Sequence, residues 1–302
     1  MKKNIKFVSV ILLISLIMGL GLGYLIQNEE NTSDSNNKDE SCNIRKPNRN
    51  EYVIEYVIPR PCSAPIAITI DEKNTIWFIE NNFSKLVSFD PKSKIFTEFT
   101  IETESVTGIE SWSLISIEEN LWFTDHKNNM IWKFNKNEKS FSNYIIPTKE
   151  SYPVQIINDK KNNIWVAEIF GNRIAKLDIN KISTNTSKGI KEIEPPIKLD
   201  LLGGISIDEN DKIWFTILTW PVEGKIISFV EETNEFEIFE MPREITSPVG
   251  IAIKNDHIWI SDHGSSQFVL FNIKNNTFTK FSTSLSTSQF SSTLPYWNKF
   301  DS

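Results

Sequence analysis

Four acidic residues share one position relative to a repeated tryptophan. The third residue after each of five tryptophans is acidic in four cases, Glu80, Asp125, Glu168 and Asp262. A ring of such carboxylates can attract a cation or a metal, and His126 and His263, which follow two of them, can serve as bases or ligands. Alternatively, each carboxylate accepts backbone N–H bonds in the turn that follows it. For each acid alone we expect this structural role, and we expect both histidines to be exposed loop residues.

The fifth position, Ile217, departs from the acidic pattern. The stretch TILTWPVEGKI places apolar residues and the dipeptide Trp220-Pro221 where the other segments have a polar turn. An exposed tryptophan there can stack on an apolar or aromatic ligand, which makes Trp220 a candidate binding residue. The alternative is that Trp220 packs over the neighbouring repeat.

The strands that position these residues belong to a pattern that repeats along the sequence. The five tryptophans are spaced by 45, 43, 49 and 45 residues, at positions Trp77, Trp122, Trp165, Trp214 and Trp259. In each repeat an apolar strand pattern comes first, and a short polar turn connects it to a second apolar strand that contains the tryptophan. Two further strands with alternating apolar residues follow. Four short strands in about 45 residues are typical of a β-propeller blade. The sequence therefore predicts an all-β propeller whose second strands end at the mouth of a central channel.

The last residues of the chain begin another repeat. TLPYWNKFDS, residues 293–302, has the form of a first strand, with Pro295 in the leading position and Tyr296 as a further candidate at the mouth. EYVIEYVIP, residues 51–59, has the form of an outermost strand that would complete the last blade. We expect five four-stranded blades and the start of a sixth, an open arc whose strand edges favour association.

The repeats resemble the virginiamycin B lyase (streptogramin lyase) family. The segments SPVGIAI, IWFIEN, NLWFTD, GNRIAKLD and FTEF are similar to the blade pattern of that family, from about Ala64 to Phe281. The resemblance implies a seven-bladed ring and an elimination that opens a cyclic depsipeptide lactone, with a general-base histidine and Mg²⁺ bound by acids. The histidines of that family follow a leading proline, and the corresponding residues here are Ile66, Ser113, Val154, Gly203, Val249 and Tyr296.

Because none of these residues is histidine, no catalytic residue is assigned. We expect a propeller that binds a small molecule or a surface protein. A metal-assisted lyase or hydrolase acting on a cyclic or lactone-containing compound is the alternative, and Mg²⁺ is then the cofactor that the resemblance implies.

The N-terminal residues predict a membrane anchor. Residues 7–26 are twenty uncharged, mostly apolar residues, long enough to span a hydrocarbon core of roughly 30 Å as a helix. Lys2, Lys3 and Lys6 precede them and place the rest of the chain outside the cell by the positive-inside rule. We expect an anchor over residues 1–26, a flexible polar tether over 27–50 and the propeller over 51–302. The alternative is a cleaved signal and a secreted domain.

The charge balance limits the possible classes of partner, and the two cysteines allow a disulfide. After residue 26 the chain has 29 basic and 39 acidic side chains, a balance that argues against a nucleic-acid partner. Cys42 and Cys62 both lie on the expected outer side, where they can form a disulfide; two separate thiols are the alternative.

The anchor prediction is tested by protease treatment of intact cells. If residues 7–26 remain in the membrane, protease should release a domain that begins within the tether, at residues 27–50, and leave a short membrane stub. N-terminal sequencing of both fragments is the measurement. A mature protein that already begins near Gln27 in untreated cells would contradict the anchor.

Overall fold

The computed structural model describes residue 49 and residues 51–197, 201–218 and 224–283. The chain divides into two units, residues 1–62 and residues 63–302. In the described part of the first unit there is no strand, only an isolated antiparallel bridge between Arg49 and Ile54. Residues 51–59, which have the sequence form of an outermost strand, do not form a strand in this structure.

The described residues of the second unit form five antiparallel four-stranded sheets, which confirms the all-β prediction and the four-stranded repeat. Sheet 1 contains β1 (Pro65–Ile70), β2 (Ile76–Glu80), β3 (Lys85–Asp90) and β4 (Ile95–Thr100). Sheet 2 contains β5 (Leu114–Ile117), β6 (Asn120–Asp125), β7 (Met130–Asn135) and β8 (Ser140–Ile145). Sheet 3 contains β9 (Pro153–Asn158), β10 (Ile164–Glu168), β11 (Arg173–Leu177) and β12 (Ile190–Ile193).

Sheets 4 and 5 repeat the same order of neighbours. Sheet 4 contains β13 (Leu201–Ile207), β14 (Ile213–Leu218), β15 (Lys225–Val230) and β16 (Glu235–Glu240). Sheet 5 contains β17 (Pro248–Lys254), β18 (His257–Asp262), β19 (Gln267–Asn272) and β20 (Thr277–Ser282). One short 3-10 helix, Asn81–Phe83, follows β2. The first strands of consecutive sheets contact each other, β1 with β5, β5 with β9, β9 with β13 and β13 with β17.

Several predictions concern residues that lie outside the described ranges. These are the apolar segment 7–26, the tether, Cys42, Trp220 with Pro221, and residues 284–302 with Pro295 and Tyr296. Cys62 is disulfide-bonded, and its pairing with Cys42 stays a prediction. Among the residues that the structure does describe, no helix is both long and apolar enough to cross a membrane.

A hydrogen bond between an aspartate and the repeated tryptophan closes the first turn of three sheets. The indole Nε1 of Trp77 donates to Asp71 at 2.8 Å, that of Trp165 to Asp159 at 3.2 Å, and that of Trp214 to Asp208 at 2.9 Å. The other carboxylate oxygen of each aspartate accepts backbone N–H groups of the turn, as Asp159 does from Lys161 and Asn163. One side chain therefore shapes the turn and orients the tryptophan.

Four apolar layers fill the spaces between consecutive sheets. The first four repeated tryptophans each pack in the layer between their own sheet and the next one, as Trp77 does with Phe134 of sheet 2 at a ring-centroid distance of 5.9 Å. The register Ile68↔Phe78 and Thr69↔Trp77 puts alternate residues on opposite sheet faces. Because Ile66, Ile68 and Ile70 lie on the face away from sheet 2, they are 42%, 63% and 60% exposed.

The aspartate–tryptophan bond predicts a loss of stability in Asp159→Ala. This variant removes two backbone hydrogen bonds and leaves the buried Trp165 indole without its acceptor. We expect the free energy of unfolding to fall by about 2–3 kcal/mol, measured by urea denaturation. Asp178→Ala is the control, since Asp178 also accepts a turn N–H, from Asn180, but contacts no tryptophan. Equal losses in the two variants would contradict the role of the indole bond.

Candidate ligand-binding site

The four acids lie where the sequence predicts, at the ends of second strands. Glu80, Asp125, Glu168 and Asp262 are the last residues of β2, β6, β10 and β18, and each side chain is at most 1% exposed. We call the end of the sheets that carries them the mouth face. The exception, Ile217, is fully buried in the apolar layer between sheets 3 and 4. It therefore contributes to the core and not to the surface of this face.

Asp125 and Asp262 hold loops together. Asp125 accepts hydrogen bonds from the backbone of Glu110 at 3.3 Å, from the Asn128 side chain at 2.8 Å and from the Trp132 indole at 3.1 Å. Asp262 accepts bonds from the backbone N–H of Thr246 and Ser247, from the Ser265 hydroxyl and from the Gln267 side chain. The structural interpretation of these two acids is therefore the one that the contacts support.

Glu168 is a different case. Both carboxyl oxygens are buried and form no hydrogen bond of normal geometry within the described residues. Burial raises the pKa of Glu168 to about 8, and the negative charge of Glu192 adds to this effect, while the nearby Ser151 hydroxyl and the Arg173 charge oppose it only in part. A Cβ on Gly171 would lie 2.7 Å from Glu168 Oε2, so a glycine is needed there to make room for the carboxyl group. Glu168 is therefore largely protonated at neutral pH.

The acids do not gather into a metal centre. In the part of the chain that the structure describes, no three His, Cys, Asp or Glu side chains lie close enough together to hold a metal ion. Two of the acids, Asp125 and Asp262, already use their oxygens on loop N–H groups. The described residues of the acid ring therefore do not fit Mg²⁺.

The expectation that His126 and His263 are exposed is wrong, because each is only 5% exposed. Burial lowers the pKa of His126, although the Glu110 carboxylate, 3.6 Å from His126 Nε2, acts in the opposite direction. Burial likewise lowers the pKa of His263 against the charge of Asp262. Both imidazoles are therefore neutral near pH 7. His126 Nδ1 is buried without a hydrogen-bond partner among the described residues.

His126 lies in a row of aromatic side chains at the mouth face. Trp112 meets the imidazole edge-on at 5.5 Å, Tyr152 stacks on it at 5.3 Å, and Phe170 meets Tyr152 edge-on at 4.7 Å. We call these four residues the aromatic row. Trp112 and Tyr152 precede the first strands of sheets 2 and 3, while His126 and Phe170 follow the second strands, so all four come to the same end of the sheets. Trp112, Tyr152 and Phe170 are each partly exposed.

Sequence reasoning missed most of this row. Tyr152 directly precedes the leading Pro153, and Phe170 follows Glu168 by two residues, so a search around each leading proline and each acid would have found both. The stack also depends on the packing of two sheets, because His126 belongs to sheet 2 and Tyr152 to sheet 3. No spacing within a single repeat contains that information.

Tyr152 has a strained backbone. Its φ is 56°, a left-handed value that bulky residues rarely adopt, and a residue before proline is further restricted to extended conformations. Ala64, which precedes the leading Pro65 of sheet 1, has the same left-handed conformation with a φ of 48°, so this backbone feature recurs in the repeat. The Tyr152 ring stacked on His126, the unbonded nitrogen of His126 and the partly exposed Glu110 make the aromatic row a better candidate site than the acid ring.

Comparisons with known proteins support the all-β fold of four-stranded sheets. The sequence profile described as the virginiamycin B lyase family matches residues 37–263. A streptogramin B lyase structure is similar with 25% identity and a TM-score of 0.63 over 74% of this chain and 70% of that one. No curated protein matches the sequence.

Two further structures share the fold. A catalytically inactive virginiamycin B lyase from Staphylococcus aureus, solved with quinupristin, has 21% identity and a TM-score of 0.66 over 81% of this chain and 78% of that one. A periplasmic gluconolactonase from Pseudomonas aeruginosa has 9% identity and a TM-score of 0.54 over 72% and 70%. At these identities the likeness concerns the fold alone.

The raised pKa of Glu168 predicts a pH-dependent stability. Between its ordinary value of 4.5 and its folded value of about 8, the folded state retains a proton that the unfolded chain has released. The stabilisation linked to this proton should be complete below about pH 4.5 and should disappear as the pH rises through about 8.

Thermal unfolding from pH 4.5 to 9 measures this effect. Glu168→Gln, a neutral side chain of the same shape, should flatten the pH curve, whereas Glu235→Gln, at an exposed position of β16, should leave it unchanged. Parallel curves for Glu168→Gln and the unsubstituted protein would show that Glu168 is ionised in the folded state.

Proposed function

Because the chain belongs to the virginiamycin B lyase family, we propose that it is a ligand-binding β-propeller whose site is the aromatic row at the mouth face. Its ligand is a small molecule with an aromatic or apolar group that packs against Trp112 and Tyr152. The propeller is held at the outer side of a membrane by residues 7–26 and the tether that follows them.

One observation carries the proposal, namely the stack of the strained Tyr152 on the buried His126. The tyrosine ring is already ordered by its contacts with His126 and Phe170, so a ligand that packs on it causes little further loss of side-chain freedom. The buried Nδ1 of His126 offers a hydrogen-bond position directly beside the ring. A ligand that displaces or tilts Tyr152 would reach that nitrogen.

The ligand class is inferred from the aromatic row and from the solved structures that are similar to this chain. Three partly exposed rings favour a planar or apolar group, and the half-exposed Glu110 carboxylate next to His126 favours a donor or a positive charge nearby. Quinupristin is the compound present in the similar Staphylococcus aureus lyase structure. Because the family resemblance implies a cyclic depsipeptide, quinupristin is the first ligand to test.

A second function is supported by the pair His126 and Glu110. A neutral imidazole beside a carboxylate at 3.6 Å has the composition of a general base, which an elimination or hydrolysis of a lactone requires. In this alternative Tyr152 must move, because it covers the ring whose nitrogen would accept the proton. Packing of a ligand on the exposed side of Trp112 and Tyr152 needs no such movement, so the binding function is preferred.

Titration with quinupristin tests the proposal. Full-length protein in detergent should bind it saturably, with a change in tryptophan fluorescence from Trp112. Tyr152→Gly should weaken binding by at least about 10-fold, because the stacking ring is lost. It should lower the melting temperature little, because glycine adopts a φ of 56° without strain.

Tyr52→Ala is the matched control, since Tyr52 is 86% exposed and lies far along the chain from the row. Equal binding by the unsubstituted protein and Tyr152→Gly would contradict the proposed site. Chromatography of the recovered compound separates the two functions. An unchanged compound supports binding, a ring-opened isomer supports elimination, and a product with one added water supports hydrolysis.

A further inference from the structure

A groove lies between the outer strands of sheets 1 and 2. Its volume is about 580 Å³, within the usual range of small-molecule sites. The groove is lined by Phe99, Thr100, Glu102, Trp132, Lys139, Phe141, Ser142, Asn143, Thr184 and Asn185. None of the four residues of the aromatic row is among them, so a site here is independent of the proposed function.

The floor of the groove is a rigid aromatic cluster. The Phe99 and Phe134 rings lie 4.9 Å apart, and Phe134 and Phe141 lie 4.7 Å apart. Trp132 meets Phe141 edge-on at 6.4 Å, and its indole is held by the hydrogen bond to Asp125. Phe99 and Phe141 remain partly exposed, so the groove offers apolar ring surface that needs no rearrangement.

An insertion in sheet 3 supplies one wall. The spacing from Trp165 to Trp214 is the longest of the repeat at 49 residues, and the segment between β11 and β12 reaches back to β8. Asn185 N donates to Asn143 O at 2.9 Å, and Ile145 N donates to Thr186 O at 3.0 Å. These bonds hold Thr184 and Asn185 beside the aromatic floor.

The polar groups of the groove are neutral donors and acceptors. Within the described residues, no hydrogen bond is formed by the side chains of Ser142, Asn143, Thr184 and Asn185. Amide and hydroxyl groups of this kind both donate and accept. One acid, Glu102, and one base, Lys139, lie at the rim, so their charges offset each other and the groove favours neither a polyanion nor a polycation.

We infer that this groove is a binding site for a neutral oligosaccharide. A sugar ring combines an apolar C–H face, which packs on an aromatic side chain, with hydroxyl groups that pair with amides and hydroxyls. The groove presents these two kinds of surface side by side. A peptide that adds as a strand fits less well, because Asn143 O and Ile145 N of the β8 edge are already bonded to the insertion.

Binding to a panel of neutral tetrasaccharides tests the inference. The panel contains chains of glucose, N-acetylglucosamine, mannose and galactose, immobilised on a sensor, and full-length protein is applied in a detergent without a sugar headgroup. We expect saturable binding to at least one tetrasaccharide. Thr184→Val and Asn143→Leu keep the shape of the groove but remove hydrogen-bonding groups, and each should weaken binding roughly 2- to 10-fold.

Two control variants test whether the tetrasaccharide binds in the groove. Thr279→Val alters an exposed threonine on β20, away from the groove, and Tyr152→Gly alters the aromatic row; neither should change tetrasaccharide binding. No binding to any tetrasaccharide, or binding that both groove variants leave unchanged, overturns the inference. Loss of tetrasaccharide binding only in Tyr152→Gly would also overturn it, because it would assign the sugar to the mouth face. Binding of a peptide library at the groove in place of sugars would overturn the ligand class.

Discussion

Each sheet of the second unit has two apolar faces, and a sheet with such faces is stable only when neighbouring sheets cover them. The repeated tryptophan helps to cover the face of its sheet that packs against the next sheet. Trp77, Trp165 and Trp214 each fill the layer between their own sheet and the next, with the indole N–H bonded to an aspartate six residues earlier. In these three layers the tryptophan contributes to the packing of the following sheet. The exposed isoleucines of β1 show the same requirement at the first sheet, which no described sheet precedes.

The buried acids of the mouth face follow from this stacking. When sheets pack through their faces, the ends of the second strands lie beneath the connecting loops, and the loops bring N–H groups that need acceptors. Asp125 and Asp262 provide those acceptors. Burial raises the pKa of Asp125, and the hydrogen bonds from Asn128 and Trp132 oppose this effect only in part. Burial and the charge of Glu192 raise the pKa of Glu168, and the nearby Ser151 hydroxyl and the Arg173 charge oppose them only in part.

The two candidate sites occupy places where stacked sheets differ from one another. The aromatic row forms where Tyr152 of sheet 3 reaches His126 of sheet 2, and the groove forms where the long segment of sheet 3 reaches the edge of β8. The regular parts of the repeat supply a rigid scaffold in both cases. Function of this kind is expected at loops on a stable sheet framework, since loops vary without disturbing the core.

The all-β class, the four-stranded repeat and the placement of the acids at strand ends could all be predicted from the amino-acid sequence. These features depend on local periodicity and on turn residues, and the spacing of Trp77, Trp122 and the later tryptophans is direct evidence for them. The burial of His126, the place of Ile217 in the core and the stacking of Tyr152 on an imidazole of another sheet required the folded structure. Burial and contacts between sheets depend on distances between residues far apart in the chain, and the residues of a single repeat do not contain those distances.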